Sequence, residues 1–210
     1  MIGLSSTRPS LFTIGHSDHG MAEFVSLLAR HGVDVVGDVR SQPYSRFHAQ
    51  FDRETLAEAL ANNGVRYIFF GRELGARRSE RESYRGNQAR YDLIGRLPAF
   101  REGLAQIRRL LVSDRVCLLC AEKDPITCHR AVLVCRHLRR EPIDIGHILA
   151  DGSLETTEQV EARLVDAVGL PPTHLFLDHS ELVEQAYDLQ AERIAYTESQ
   201  AAPIPFRNTA

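Results

Sequence analysis

The chain has 210 residues, 43% of them hydrophobic and 25% charged, with a formal net charge of -3. That length suits one domain able to bury a substantial core, and the mild negative charge excludes a global attraction to nucleic acid, so any anion site must be local. No apolar run approaches the ~20 residues of a membrane span, and the N-terminal MIGLSSTRPS lacks the basic-then-apolar order of a secretion signal. The expectation is a cytoplasmic protein with no membrane partner.

Leu11 to Gly15 is a short apolar segment ending in glycine, followed by Phe24, Leu27, Leu28 and His31 at helical spacing before Gly32. Val33 to Val39 is a β-branched run, Asp52 to Asn62 has a helical pattern, and Val65 to Phe70 is a third strand pattern bracketed by Gly64 and Gly71. Residues 71 to 96 show no clear period. Pro98 to Val112 is helical, with proline suited to the first turn. Val116 to Cys120 is the fourth strand, Cys128 to Arg140 a helix, and Pro142 to Leu149 a fifth strand.

Such alternation implies a three-layer α/β/α fold with a mostly parallel, Rossmann-like or flavodoxin-like sheet of about five strands. Residues 1–152 form the α/β domain. Residues 153–210 are read as a helical extension packed on it: Glu155 to Val168 as a helix with a threonine cap, a break at Pro171-Pro172, Ser180 to Tyr196 as a second helix, and a disordered end. The two helices are a candidate homodimer surface.

In an open α/β sheet, chemistry gathers beyond the carboxyl ends of the strands. His16 and Ser17 follow the first strand, Asp38 and Arg40 end the second, Glu122 follows the fourth and His147 ends the fifth. Asp38 and Arg40, two apart in extended chain, share a face and read as either a buried ion pair or part of the site. His16 suits a general base or a phosphate-facing donor, and Glu122 a nucleophile, an acid/base group or a ribose acceptor.

Cys128 has two readings. With Thr127 as cap its sulfur lies in the first helical turn and favours a thiolate; with Asp124 as cap and Pro125 as the first helical residue it sits a turn deeper and is buried. The Cys-x5-Arg spacing of anion-cradling thiol loops is missing, since Ile126 and Val134 stand where arginine is needed. Cys117 and Cys120, three apart in a strand, point to opposite faces and read as core, as does Cys135. No pair among Cys120, Cys128 and His129 has a closed-site metal spacing, so no metal and no cofactor is assigned. The stretch from Arg72 to Arg90 holds six arginines around Tyr84 and leaves the third strand's carboxyl end, as a lid or binding loop would.

TIGHS at residues 13–17, DVRSQPYSR at 38–46, the LG-containing segment after Phe70, Tyr84-Arg85, LLCAEKDPITCHR at 118–130 and HILADG at 147–152 together resemble the bacterial family of domain of unknown function 488. The resemblance covers roughly residues 11 to 152. It implies a fold and signature positions at His16, Asp38, Arg40, Pro43, Ser45, Tyr84, Arg85, Cys120, Glu122, Cys128, His129 and Arg130, but no reaction.

The expected function is a hydrolase or group transferase acting on a phosphate-bearing substrate, such as a nucleotide or nucleic-acid component. His16, Asp38, Glu122 and Cys128 are the catalytic candidates. Ser17, Arg40, Ser45, Tyr84, Arg85, His129 and Arg130 are the substrate-binding candidates. No G-x-G-x-x-G follows the first strand and no G-x-x-x-x-G-K-[ST] loop exists, which disfavours hydride transfer and nucleoside-triphosphate cradles. The alternatives are a non-catalytic anion or nucleotide binding module and a thiol-dependent redox or sulfur-transfer enzyme using Cys128.

Overall fold

The computed structural model describes residues 11–45, 47–171 and 177–198. Strands β1 (Leu11–Gly15), β2 (Val35–Asp38), β3 (Arg66–Phe69), β6 (Val116–Cys120), β7 (Ile145–Ile148) and β8 (Leu154–Thr156) make one sheet in the order β3-β2-β6-β1-β7-β8. Strands β4 (Tyr84–Arg85) and β5 (Gln88–Ala89) form a separate small hairpin. All pairings in the main sheet are parallel except that of β7 with β8.

Strict alternation along the strands builds a core on each face. Phe12, Ile14, Val36, Cys117 and Leu119 face Phe24, Leu27 and Leu28 of α1 (Met21–Arg30) and Leu56 and Leu60 of α2 (Arg53–Ala61). Leu11, Val35, Val116, Leu118 and Cys120 face the other way. There they join Phe100, Leu104 and Ile107 of α5 (Pro98–Leu110), Val160 and Leu164 of α7 (Thr157–Ala167), and Leu182, Val183 and Tyr187 of α8 (His179–Ile194). Each fully buried Leu, Val or Phe side chain contributes about 1.5–3 kcal/mol. The result is the three-layer α/β/α sandwich that the alternation predicts, with β8 and both C-terminal helices continuous with it.

The strand order is a third arrangement, neither Rossmann-like nor flavodoxin-like, because β6 is inserted between β2 and β1. Connections from β1 and β2 run toward the β3 edge and place α1 and α2 on one face. The connection from β6 runs over β1 to β7 and lies on the other face, as right-handed crossovers in opposite directions must. The helix that follows β6 therefore lies on the opposite face from those that follow both its neighbours, which leaves a crevice beyond the carboxyl end of β6. The register brings those ends level: Gly15 pairs with Cys120, and Asp38 with Leu119.

Local signals explain the helix boundaries. Pro98 stands in the first turn of α5, and α7 and α8 each start with a capping box, Thr156 with Gln159 and Asp178 with Glu181. Residues 71–96, which carry no period, hold α3 (Gly71–Leu74), a 3-10 turn at Arg81–Ser83, the β4–β5 hairpin and α4 (Tyr91–Ile94), each too short for a period to register. At the expected break, Pro171-Pro172, α7 ends at Ala167 ahead of the exposed Pro171, while Pro172 and the expected disordered end lie outside the described residues. No helix among the described residues is long and apolar enough to cross a membrane.

Candidate active site

A cleft of about 660 Å³ lies at the carboxyl ends of β1, β2 and β6. It is lined by His16, Ser17, Arg40, Ser45, His48, Arg77, Glu122 and His129, with Tyr91, Ile194 and Tyr196 among its less polar residues. The chain leaves β1 in contact with the loop after β6: His16 N–H donates to the Cys120 carbonyl at 2.9 Å and Ser17 N–H to that of Ala121 at 3.0 Å. Gly15 is required here by close approach, since a β-carbon on it would collide with the Glu122 carbonyl. Ser17 adopts φ 47°, a left-handed conformation uncommon for serine and a form of strain concentrated at functional sites.

His16 is stacked on Phe51 with ring centroids 4.4 Å apart, and its Nδ1 lies 2.9 Å from the Ser17 carbonyl. The carbonyl can only accept, so Nδ1 carries the proton and Nε2 is the basic nitrogen. Burial lowers the His16 pKa to about 4, so the ring is neutral near pH 7.

Below the cleft, four side chains converge. Cys120 Sγ and Cys128 Sγ lie 2.9 and 3.0 Å from Glu122 Oε2, and His129 Nδ1 lies 3.5 Å from Cys120 Sγ and 4.0 Å from Cys128 Sγ. His129 Nε2 is 2.9 Å from the Val39 carbonyl at the end of β2. Cys128 and Cys120 are only 1% and 2% exposed, while Glu122 opens to the cleft. Partial burial and the neighbouring Cys128 sulfur raise the Glu122 carboxyl above its usual range. For Cys128, burial works against ionisation, but the Cys120 thiol, Arg130 and His129 outweigh it and hold the sulfur well below the ordinary thiol range. The same burial and the proximity of Cys128 push Cys120 up.

Of the two cap readings of Cys128, the Asp124 one holds and the Thr127 one does not, because Thr127 lies inside the turn and its hydroxyl donates to the Asp124 carbonyl instead of accepting from a helix amide. Asp124 accepts from Ile126 N–H and opens a 3-10 turn, Pro125–Thr127, with proline in its first turn. Cys128 is then extended, its carbonyl accepts from Ala131 and Val132, and its sulfur accepts from Arg130 N–H at 3.4 Å. It caps a helix whose first stretch, Arg130–Cys135, is π-helical before α6 (Arg136–Leu138), a widened form found often at functional sites.

Arg130 is 0% exposed and turns away from the cleft. Its Nη1 donates to the Glu122 carbonyl at 2.5 Å, its Nη2 to that of Lys123 at 3.1 Å and its Nε to Thr13 Oγ1 at 3.4 Å. That hydroxyl lies 2.8 Å from Nδ1 of His147, which is likewise buried. Arg130 thus shapes the loop after β6 from within.

Arg40 and Asp38 form the buried pair that their spacing suggests: Nε and Nη2 meet the two carboxylate oxygens at 2.9 and 2.7 Å. Nη2 also donates to the Phe51 carbonyl, and Tyr67 donates to Asp38 at 2.8 Å. Arg40 Nη1 has no hydrogen-bond partner among the described residues, and Arg40 lines the cleft.

The other expected residues divide. Ser45 accepts from the Phe47 and His48 amides, a local turn that carries His48 into the wall. Tyr84 is buried and bonded through its hydroxyl to the Arg78 backbone, and Arg85 is exposed on the hairpin; neither lines the cleft. Of the Arg72–Arg90 cluster only Arg77 does, its guanidinium 4.8 Å from the Tyr196 ring. Cys120, read as core, belongs to the site; its place as the last residue of β6 was the signal that could have found it.

No curated protein matches the chain. It is similar to the crystal structure of a "Putative phosphatase (DUF442)" from Shewanella putrefaciens CN-32, at 11% identity over 90% of each chain and a TM-score of 0.39. A family profile matches residues 20–136, more than half of the sequence, from just after TIGHS to just past the Cys-His-Arg motif. The chain belongs to the family described as domain of unknown function DUF488.

Proposed function

We propose that this protein is a hydrolase or group transferase that binds the phosphate group of a small substrate in the cleft at the end of β6. The observation that carries the reading is the Arg40 guanidinium, pinned by Asp38 and the Phe51 carbonyl, in a residue that lines the cleft and whose Nη1 has no hydrogen-bond partner among the described residues. A guanidinium held rigidly is pre-organised for a planar or tetrahedral anion. Arg77 and His48 also line the cleft and add donors, and His16, with Nε2 unprotonated, takes a proton from water or from an acceptor hydroxyl. Thiol transfer by Cys128 fits less well, because that side chain is 1% exposed and a substrate has little access to its sulfur.

The test is calorimetric binding of inorganic phosphate and nucleoside monophosphates, with turnover measured on a panel of phosphomonoesters and phosphodiesters. Arg77→Ala, exposed and outside both cores, is expected to weaken binding about tenfold, the value of one charge-assisted hydrogen bond, while the melting temperature is kept. His16→Gln is expected to abolish turnover and spare binding. Absence of phosphate binding by the folded parent, or binding unchanged in Arg77→Ala, overturns the reading.

A further inference from the structure

We infer that Cys120, Glu122, Cys128 and His129 form a binding site for one thiophilic divalent cation of the zinc class at the floor of the cleft. The inference does not rest on the phosphate reading, since metal content is measured without any substrate.

The first observation is convergence. One ligand atom from each residue, two sulfurs, one imidazole nitrogen and one carboxylate oxygen, lies within 4.8 Å of every other. A tetrahedral zinc site with Zn–S bonds of ~2.3 Å and Zn–N and Zn–O bonds of ~2.0–2.2 Å has edges of roughly 3.5 Å. The sulfur–nitrogen separations of 3.5 and 4.0 Å bracket that edge, and the sulfur–oxygen separations of 2.9 and 3.0 Å need only open by about half an ångström. The ligands come in two pairs, one ending β6 and one opening the following helix, so the fold supplies the site and no short sequence motif does.

The second observation is the tautomer of His129. Its Nε2 faces the Val39 carbonyl at 2.9 Å, which can only accept, so Nε2 carries a proton and Nδ1, turned toward the sulfurs, is the nitrogen left for a cation. A carbonyl holding the far nitrogen of an imidazole is the usual outer support of a metal-ligating histidine.

The third is charge. Arg130, 0% exposed, donates to carbonyls, to a hydroxyl and through its amide to Cys128 Sγ, and meets no carboxylate side chain among the described residues. A buried cation needs a counter-charge. Two thiolates and one carboxylate around a divalent ion carry a net charge of -1, which balances the guanidinium next to them. Cys120 and Cys128 lie on the buried side and Glu122 on the open side, so Glu122 is the ligand that water or a substrate oxygen displaces. Under this assignment Glu122 is a ligand rather than a proton donor.

The experiment is elemental analysis of the full chain purified under reducing conditions without chelator, followed by chelation and titration of the apo protein with Co²⁺. About one ion per chain is expected, with a thiolate-to-cobalt charge-transfer band and a melting temperature that falls on chelation. Cys120→Ser and His129→Gln are expected to weaken Co²⁺ binding at least about tenfold, with the band of saturated Cys120→Ser about half as intense because one of two thiolates is gone. Cys117→Ala, whose sulfur lies on the opposite face of β6, is expected to keep the band. If the ligand variants unfold, protection of the parent's thiols from alkylation by added Zn²⁺ supplies the same answer. A folded parent that holds no stoichiometric metal and gives no thiolate band with Co²⁺, or loss of the band in a folded Cys117→Ala chain, overturns the proposal.

Discussion

Replacing Arg130 by methionine keeps most of its volume and removes the guanidinium that ties the loop after β6 to β1. The structure gives the terms. The Glu122 and Lys123 carbonyls lose their bonds to a charged donor, and Thr13 loses a weaker one at 3.4 Å. A hydrogen bond to a charged group contributes about 1.5–3 kcal/mol, so two strong ones represent about 3–6 kcal/mol. Against this, a fully buried charge no longer has to be desolvated, which offsets a few kcal/mol. The carbonyls win because they remain in place without a partner, and the net loss is about 3 kcal/mol, a large share of the 5–15 kcal/mol typical of a domain. In urea unfolding followed by circular dichroism, with chelator present so that no bound ion contributes, a slope of about 2 kcal/mol per molar turns this into a midpoint lower by about 1.5 M. Arg85→Met, on the exposed hairpin, is the control and is expected within about 0.5 kcal/mol of the parent. An Arg130→Met midpoint indistinguishable from that control would refute the assignment of Arg130 as the internal support of the loop.

Gly15→Ala drives a β-carbon into the Glu122 carbonyl and must shift the loop; a loss of about 1–3 kcal/mol in chemical denaturation is expected, and an unchanged midpoint contradicts the close approach. Ser17→Gly relieves the left-handed backbone at φ 47° and is expected to stabilise by about 0.5–1 kcal/mol, with Ser17→Val moving the other way. For Glu184, burial works against the carboxylate, but Arg140 and Arg136 hold its pKa at about 2. A depressed carboxylate contributes stability that is complete above its unfolded value near 4.5 and is lost as pH falls toward 2, so the melting temperature drops over that window. Glu184→Gln flattens this part of the profile, and an unaltered slope in the variant refutes the assignment.

The two-faced core was legible because β6 is an uninterrupted apolar run and because α1 and α5 are strongly periodic. The strand order was not, since inserting β6 between β1 and β2 changes no local pattern. β8 escaped because three residues at an edge, only one of them buried, carry no period.

Within the site, carboxyl-end reasoning found His16, Arg40, Glu122 and His129, and spacing in extended chain found the Asp38–Arg40 pair. It did not reveal which arginines are committed. Arg130 and Arg78 are buried on backbone carbonyls, while Arg77 is exposed beside Tyr196 and donates to the Gln42 side chain at 3.1 Å, and nothing in one dimension separates them. The four-residue cluster was hidden for a similar reason: its halves are joined by a loop whose shape depends on Arg130, so strand phase alone left Cys120 in the core.

The most direct measurement of the central claim is a crystal structure of the protein grown with tungstate, an electron-dense stand-in for phosphate. The account predicts the oxyanion inside the cleft, within hydrogen-bond reach of Arg40 Nη1 and Arg77. Tungstate bound elsewhere on a folded chain, with the cleft holding none, would contradict it.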